Sequence, residues 1–173
     1  MPDNPILIAG GGIGGLTTAL ALARIGQPSI LIEQRTRIDE VGAGIQLSPN
    51  ASRILMELGL GPALAKVVAE PQRLTIRSAK SGKILGGMPL GEAMRGQYGA
   101  PYWTIHRADL QTILLDAVRG SDHIRLAFGR TVAEIEDNSA SSVTIRCDSQ
   151  SASESVTGKA LIGADGIWSN VAR

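Results

Sequence analysis

The sequence predicts an α/β fold: a parallel sheet with helices, a β-meander, and part of an antiparallel sheet inserted between them. Three observations predict it. The plain apolar run Ile6–Ala9 leads into five glycines in six positions, and from there into a helical pattern. A second buried strand, Ser29–Glu33, completes a strand–helix–strand unit of about 30 residues, the size of a parallel crossover. From Arg73 onward short alternating runs separated by turn residues take over, which is antiparallel in character.

Taken in order, Ile6–Ala9 has no polar residue and reads as a strand buried on both faces. Ile13–Ile25 reads as a helix whose apolar stripe is Leu16, Ala19, Leu20 and Ala23, ended by Gly26. Ser29–Glu33 is the second buried strand. The segment "EVGAGIQL" reads as a Gly-rich loop. Ser48 is the expected N-cap of the next helix, with Pro49 at its first position and Gly59 after its end. Ile54, Leu55 and Leu58 supply its buried face. "GPALAKVV" is a short helix entered through Pro62. Arg73 to Trp103 reads as inserted antiparallel sheet, turning at Ser81-Gly82. "HRADLQTILLDAVRG" is an amphipathic helix with Leu110, Ile113, Leu114, Ala117 and Val118 inside and Gly120 as its cap. "HIRLAF" is a short strand. A three-strand meander follows, turning at Asp137–Ser142 and in the polar tract Asp148–Ser155. The last buried strand, Ala160–Gly163, delivers "GADGIWSNVAR".

The chain has 173 residues, enough for one domain or a domain and a half. With 43% hydrophobic residues, 19% charged residues and a net charge of +1, the profile is that of a soluble globular protein. It gives no support for nucleic-acid binding or a basic membrane-docking surface. The lone Cys147 makes no internal disulfide, and one Cys with two His makes no zinc set, so no metal site is expected. A reducing cytoplasm is the expected location. Residues 5–25 lack a basic leader, carry Arg24 and are broken by five glycines, so they read neither as a signal peptide nor as a membrane span.

Gly10-x-Gly12-x-x-Gly15 follows a strand and opens a helix, the context of a Rossmann-like dinucleotide turn. Gly10 permits the sharp turn, Gly12 lets a pyrophosphate reach the backbone, and Gly15 lets helix and strand lie close. Ile13 and Gly14 stand in the first helical turn, whose N–H groups and dipole favour an anion. The glycines alone also fit a tight turn with no ligand. Glu33, 18 residues after Gly15 at the tip of the second strand, favours the ligand: a carboxylate there accepts hydrogen bonds from both ribose hydroxyls and repels a 2′-phosphate. Gln34 and Arg35 follow it. An NAD dehydrogenase normally continues into a second parallel half, whereas this chain continues into a Gly-rich loop and antiparallel segments. That favours a flavin dinucleotide.

Four motifs in this order resemble the N-terminal part of class A flavoprotein monooxygenases, the salicylate hydroxylase-like aromatic hydroxylases. They are the Gly10–Gly26 glycine pattern with Glu33, "GAGIQLSPNASRILMELGL" at Gly42–Leu60, "HRADLQTILL" at His106–Leu115, and "GADGIWS" at Gly163–Ser169. The resemblance covers essentially the whole chain. It implies a Rossmann-like FAD-binding domain at 1–72 and 104–173, with 73–103 as a partial substrate-domain insert. It implies that Glu33 binds the FAD ribose, that Gln34 is among the cofactor-binding residues, that Arg35 lies near the adenosine end, and that the Val132 backbone contacts the adenine. Gln46 and Arg107 match positions at the ribityl–pyrophosphate region. Asp165 and Gly166 match positions on the flavin side, where the nicotinamide donor docks. The implied activity is hydroxylation of a small aromatic, phenolic acid-like substrate with NAD(P)H and O2, NAD(P)H binding transiently.

Read without the resemblance, Arg107 is a permanent cation suited to phosphate or an ordinary surface arginine. Gln46 is an ordinary loop residue, and Asp165-Gly166 a turn signal. His106 is expected to pack or cap, His123 to be exposed, and Trp103 and Trp168 to pack. Arg95, Tyr98 and Tyr102 could border a substrate region. No catalytic acid or base is identified. An NAD-linked dehydrogenase, another flavoprotein reductase and a non-catalytic nucleotide-binding module remain alternatives. Two departures stand out: the family's later Gly-Asp signature is absent, and Ala172 intervenes before Arg173. The chain is therefore expected to be an N-terminal fragment, and the apolar surface left uncovered offers a face for homodimer formation.

Overall fold

The structure is a computed structural model that describes residues 4–37, 42–137, 141–149 and 152–171. The chain divides into two compact units. One is Met1–Glu40 with Gln111–Arg173, the other Val41–Leu110. The elements in chain order are β1 (Ile6–Ala9), α1 (Ile13–Arg24), β2 (Ser29–Glu33), β3 (Gly44–Leu47), α2 (Pro49–Glu57) and α3 (Gly61–Leu64). Then come β4 (Arg73–Arg77), β5 (Ile84–Pro89), α4 (Gly91–Tyr98), β6 (Trp103–His106) and α5 (Arg107–Arg119). β7 (Ile124–Phe128), β8 (Thr131–Asp137), β9 (Val143–Asp148), β10 (Ser153–Gly158) and β11 (Ala160–Gly163) complete the chain.

In the first unit a four-stranded parallel sheet has the order β11-β1-β2-β7. Its registers pair Leu7 with Ile30 and with Leu161, and Ile32 with Ala127. The antiparallel meander β10-β9-β8 closes one face of it. Side chains alternate along a strand, so Leu7, Ala9, Ile30 and Ile32 share that face, where they form one buried cluster with Val132, Ile145 and Cys147. Ile8 and Leu31 are fully buried on the opposite side. Each such side chain stabilises the fold by ~1.5–3 kcal/mol. A bulge between Val132 and Glu134 bends β8. This is the α/β architecture the strand pattern predicts.

The second unit is made of two-stranded ribbons and short helices. β3 pairs with β6 and β4 with β5, both antiparallel. The buried Ser52 hydroxyl on α2 donates to the Pro101 carbonyl at 2.6 Å.

Several expectations are corrected. Gly44–Leu47, expected as loop, is a strand because Ile45 and Leu47 find partners in Ile105 and Trp103. Gly91–Tyr98 is a helix inside the stretch expected as sheet; it ends where Gly99 takes a left-handed φ of 69°. α1 stops at Arg24 and α3 is only four residues long. Ser48 caps α2 by position, but its hydroxyl bonds to Asn50 Oδ1 at 2.5 Å. Of the three residues expected to form the buried face of α2, Leu55 is buried, Leu58 is half-buried and Ile54 is 49% exposed. Trp168, expected to pack, is 79% exposed; Trp103 is buried. Exposed apolar side chains gather on the β4–β5 ribbon, at Leu74, Ile76, Ile84, Leu85 and Met88. The expected turns at Asp137–Ser142 and Asp148–Ser155 fall partly, and Arg173 wholly, outside the described residues.

The difference between Leu7 and Ile54 is testable. Leu7→Ala should lower unfolding stability by about 2–5 kcal/mol, and Ile54→Ala by no more than about 0.5 kcal/mol. Urea denaturation followed by far-ultraviolet circular dichroism measures both.

Candidate functional site

The β1–α1 turn is shaped by close approach of backbone. Gly10 has φ +105°, and a Cβ there would lie 2.3 Å from the Ala164 carbonyl oxygen. A Cβ on Gly15 would lie 1.9 Å from the Gly10 oxygen. Any side chain at either position pushes the turn apart. Gly12 and Gly14 differ: a Cβ on either meets nothing within 4 Å. The first pair therefore builds the turn, and the second keeps an open surface bare. Gly12 precedes α1 in extended conformation, with φ −72° and ψ −179°. Its carbonyl accepts the Leu16 N–H at 3.0 Å, and the first-turn N–H groups have no carbonyl one turn back. Bare backbone, N–H groups with no intrahelical partner and the positive end of a helix dipole make this turn a candidate cradle for an anion.

Glu33 closes the turn from β2. Its Oε2 accepts the Gly11 N–H at 2.6 Å and its Oε1 the Arg35 N–H at 2.9 Å. The residue is only 9% exposed. Each oxygen keeps lone-pair capacity for one more donor, such as a ribose hydroxyl. The carboxylate is held from behind: Glu33 O accepts the Arg130 N–H at 3.1 Å, and Arg35 O accepts the Gly129 N–H at 3.0 Å. Gln34 and Arg35 are exposed beside it. Val132 is buried in the meander, and its carbonyl accepts Asn170 Nδ2 at 3.2 Å.

Asp165 turns back into its own loop. Its carboxylate accepts the Ser169 hydroxyl at 2.6 Å and the backbone N–H groups of Asn170 at 2.7 Å and Val171 at 3.3 Å. Burial pushes its carboxyl up, but these hydrogen bonds together outweigh it and hold the group below the ordinary aspartate range. Gly166 follows in left-handed conformation, φ +82°.

In the 41–110 unit, Gln46 is exposed on β3 opposite Thr104. Arg107 opens α5; its N–H donates to the Ala43 carbonyl at 3.3 Å, and its side chain packs on Gly42, where a Cβ would lie 3.1 Å from it. His106 caps the same turn, its Nδ1 accepting the Ala108 N–H at 3.3 Å. Arg95 is paired bidentately with Glu70 at 2.7 and 2.5 Å, which holds the Glu70 carboxyl low. Among the described residues no cluster of three or more His, Cys, Asp or Glu is placed to hold a metal ion. No described helix is long and apolar enough to cross a membrane.

The FAD-binding-domain family model matches residues 3–173. The chain belongs to that family. It is 39% identical over 168 residues to 3-hydroxybenzoate 6-hydroxylase 1 of Aquipseudomonas alcaligenes, covering 97% of this chain and 42% of that protein. It is 36% identical over 171 residues to 3-amino-4-hydroxybenzoate 2-monooxygenase of Streptomyces cremeus, covering 99% of this chain and 42% of that protein. Among solved structures, the flavin-dependent monooxygenase PieE, in complex with FAD and substrate, superposes with a TM-score of 0.83 at 26% identity, over 99% of this chain and 32% of that one. HpxO of Klebsiella pneumoniae complexed with FAD gives 0.81 at 28%, over 96% of this chain and 41% of that one. The chain thus spans less than half the length of these relatives. The observed turn fits the cofactor: an open glycine cradle suits a pyrophosphate, and a carboxylate with spare lone pairs suits the adjoining ribose.

Two residues that participate in the turn escape the sequence pattern. Gly11 supplies the N–H that Glu33 binds. Gln111, on α5, donates its side-chain amide to the Gly11 carbonyl at 3.2 Å. The available signal for Gln111 was a polar residue one turn before Leu115 and two before Val118, on a face that is otherwise apolar.

Gly12→Ala should fold with wild-type stability and yet weaken FAD binding by about tenfold or more, ~1.4 kcal/mol. Gly15→Ala should lose about 1–3 kcal/mol of stability as well, by overpacking. Flavin fluorescence titration with thermal melting separates the two. For Asp165 the sign runs one way: with a lowered folded pKa, its contribution is full above the unfolded value and is lost as pH falls through the folded one. The stability difference between wild type and Asp165→Asn should therefore shrink from about pH 5 to about pH 3, as measured by thermal melts across that range.

Proposed function

We propose that the intact protein is an FAD-dependent monooxygenase that hydroxylates a small aromatic acid using NAD(P)H and O2. The observation that carries this reading is the similarity, across nearly the whole chain, to relatives named as hydroxybenzoate hydroxylases and aminohydroxybenzoate monooxygenases. The match to an FAD-binding family supports a flavin over the NAD-linked dehydrogenase alternative.

In this proposal Gly10, Gly12, Ile13, Gly14 and Gly15 receive the pyrophosphate, and Glu33 takes the ribose hydroxyls on its remaining lone pairs. Gln34, Arg35 and the Val132 backbone border the adenosine end. Asp165 and Gly166 form the turn on the flavin side. Gln46 and Arg107 are the proposed cofactor ligands from the 41–110 unit. Bound FAD supplies the redox chemistry, taking electrons from NAD(P)H and activating O2 for transfer of one oxygen atom to the ring. The exposed apolar ribbon β4–β5, within 73–103, is where we place the beginning of a substrate-domain sheet. No described side chain is assigned a proton-transfer role.

Glu33→Ala should weaken FAD binding by about 1.5–3 kcal/mol, the usual cost of losing hydrogen bonds to a charged group. In the intact protein, a meta- or para-hydroxybenzoate should stimulate NAD(P)H consumption, with one atom from labelled O2 appearing in the product. An intact protein that retains FAD, but shows no stimulation by any phenolic acid, would contradict the hydroxylase reading.

A further inference from the structure

We infer that Gln111 is a positioning residue for the pyrophosphate cradle. It acts through the Gly11–Gly12 peptide and does not itself touch the cofactor. The inference rests on the FAD-site reading above and adds to it a residue from outside the glycine motif.

The argument begins with two peptide planes. A trans peptide points its C=O and its N–H in opposite directions. The plane joining Gly10 and Gly11 is held by Glu33, which takes the Gly11 N–H at 2.6 Å. Its other end, the Gly10 oxygen, is therefore directed the opposite way, onto Gly15, where a Cβ would lie 1.9 Å from it. The plane joining Gly11 and Gly12 is trans as well. Gln111 Nε2 takes its carbonyl at 3.2 Å, on the side of α5. Its N–H, that of Gly12, is therefore turned away from α5. A Cβ on Gly12 meets nothing within 4 Å. Two side chains, one from β2 and one from α5, thus fix two consecutive peptides. The second of these decides whether Gly12 offers a donor or an acceptor to the open surface. A flip of that peptide would present the Gly11 carbonyl to an anion and repel it.

The chemistry of Gln111 supports a role for its donor half. The residue is 3% exposed, and its Oε1 has no hydrogen-bond partner among the described residues. A side chain kept for packing alone gains nothing from a buried, unpaired acceptor; methionine fills the same space without one. Among the described residues, the amide's one hydrogen bond is the one to Gly11. The reversed amide would set Oε1 against the Gly11 oxygen, so the donor assignment follows from the contact.

The test is FAD titration by flavin fluorescence of the wild-type chain, Gln111→Met and Gln111→Glu, with melting of each in the absence of FAD. Met preserves shape and removes both polar atoms. Glu preserves the stem and offers no donor when ionised. We expect Met to raise the FAD Kd by about fivefold, one neutral hydrogen bond's worth, without lowering the melting temperature. Glu should raise the Kd further. An unchanged Kd in Met would overturn the inference while leaving the FAD site intact. So would a weaker Kd accompanied by a lower melting temperature in Met, since that is the mark of a merely structural residue. A wild-type chain that binds no FAD would overturn the site reading itself, and this inference with it.

Discussion

The account depends on one steric constraint: at the end of the parallel sheet, three stretches of main chain meet at distances that leave no room for a Cβ. The Gly10 carbonyl rests on Gly15, and Gly10 rests on the Ala164 carbonyl as the chain leaves β11. This contact sets how closely α1 lies on β1. It also sets where the loop after β11 begins. Because the turn is tight, the N–H groups after it are presented as a group, and Gly12 and Gly14 add no side chain over them. In the proposed site, anion binding would follow from backbone placement, with no cationic side chain needed to create it.

Glu33 translates that constraint to the neighbouring strand. Its carboxylate is bound on both oxygens by backbone N–H groups, one from the glycine turn and one from its own strand exit. The β7–β8 connection grips the same exit through Gly129 and Arg130. The meander therefore has two effects in this unit. It covers an apolar face of the sheet, and it pins the strand end that carries the carboxylate. Asp165 shows the same economy of design in the loop after β11, where one carboxylate organises the next six residues through three hydrogen bonds.

Much of this was legible in the sequence, for physical reasons. Ile6–Ala9 and the Ile30–Ile32 centre of the second strand are uninterrupted apolar runs, which a doubly covered strand can bury. The Gly10, Gly12, Gly15 spacing carries its own geometry, and Glu33 in register gives it chemistry. What was not legible depends on distant partners. Gly44–Leu47 is four residues with two glycines nearby, and it becomes a strand only because Trp103–His106 lies beside it. The α4 helix carries Gly91 and Gly96 and little periodicity, so its identity rests on the Gly99 turn and its packing. Ile54 and Trp168 look like core residues by type, and the surface of this chain leaves both exposed. Gln111 was hidden for the opposite reason: a polar side chain on an apolar helical face gives no hint of the carbonyl, 100 residues earlier, that it binds.

The most direct test of the central claim is amide hydrogen exchange, followed by NMR on the chain labelled with 15N-glycine, with and without FAD. If the turn is built by the protein itself, the Gly11 amide is protected in the free chain by its bond to Glu33. The Gly12 and Gly14 amides exchange freely until FAD is added and then become protected. A Gly11 amide that exchanges as fast as Gly12 in the free chain would contradict the account. So would bound FAD that leaves Gly12 and Gly14 unprotected.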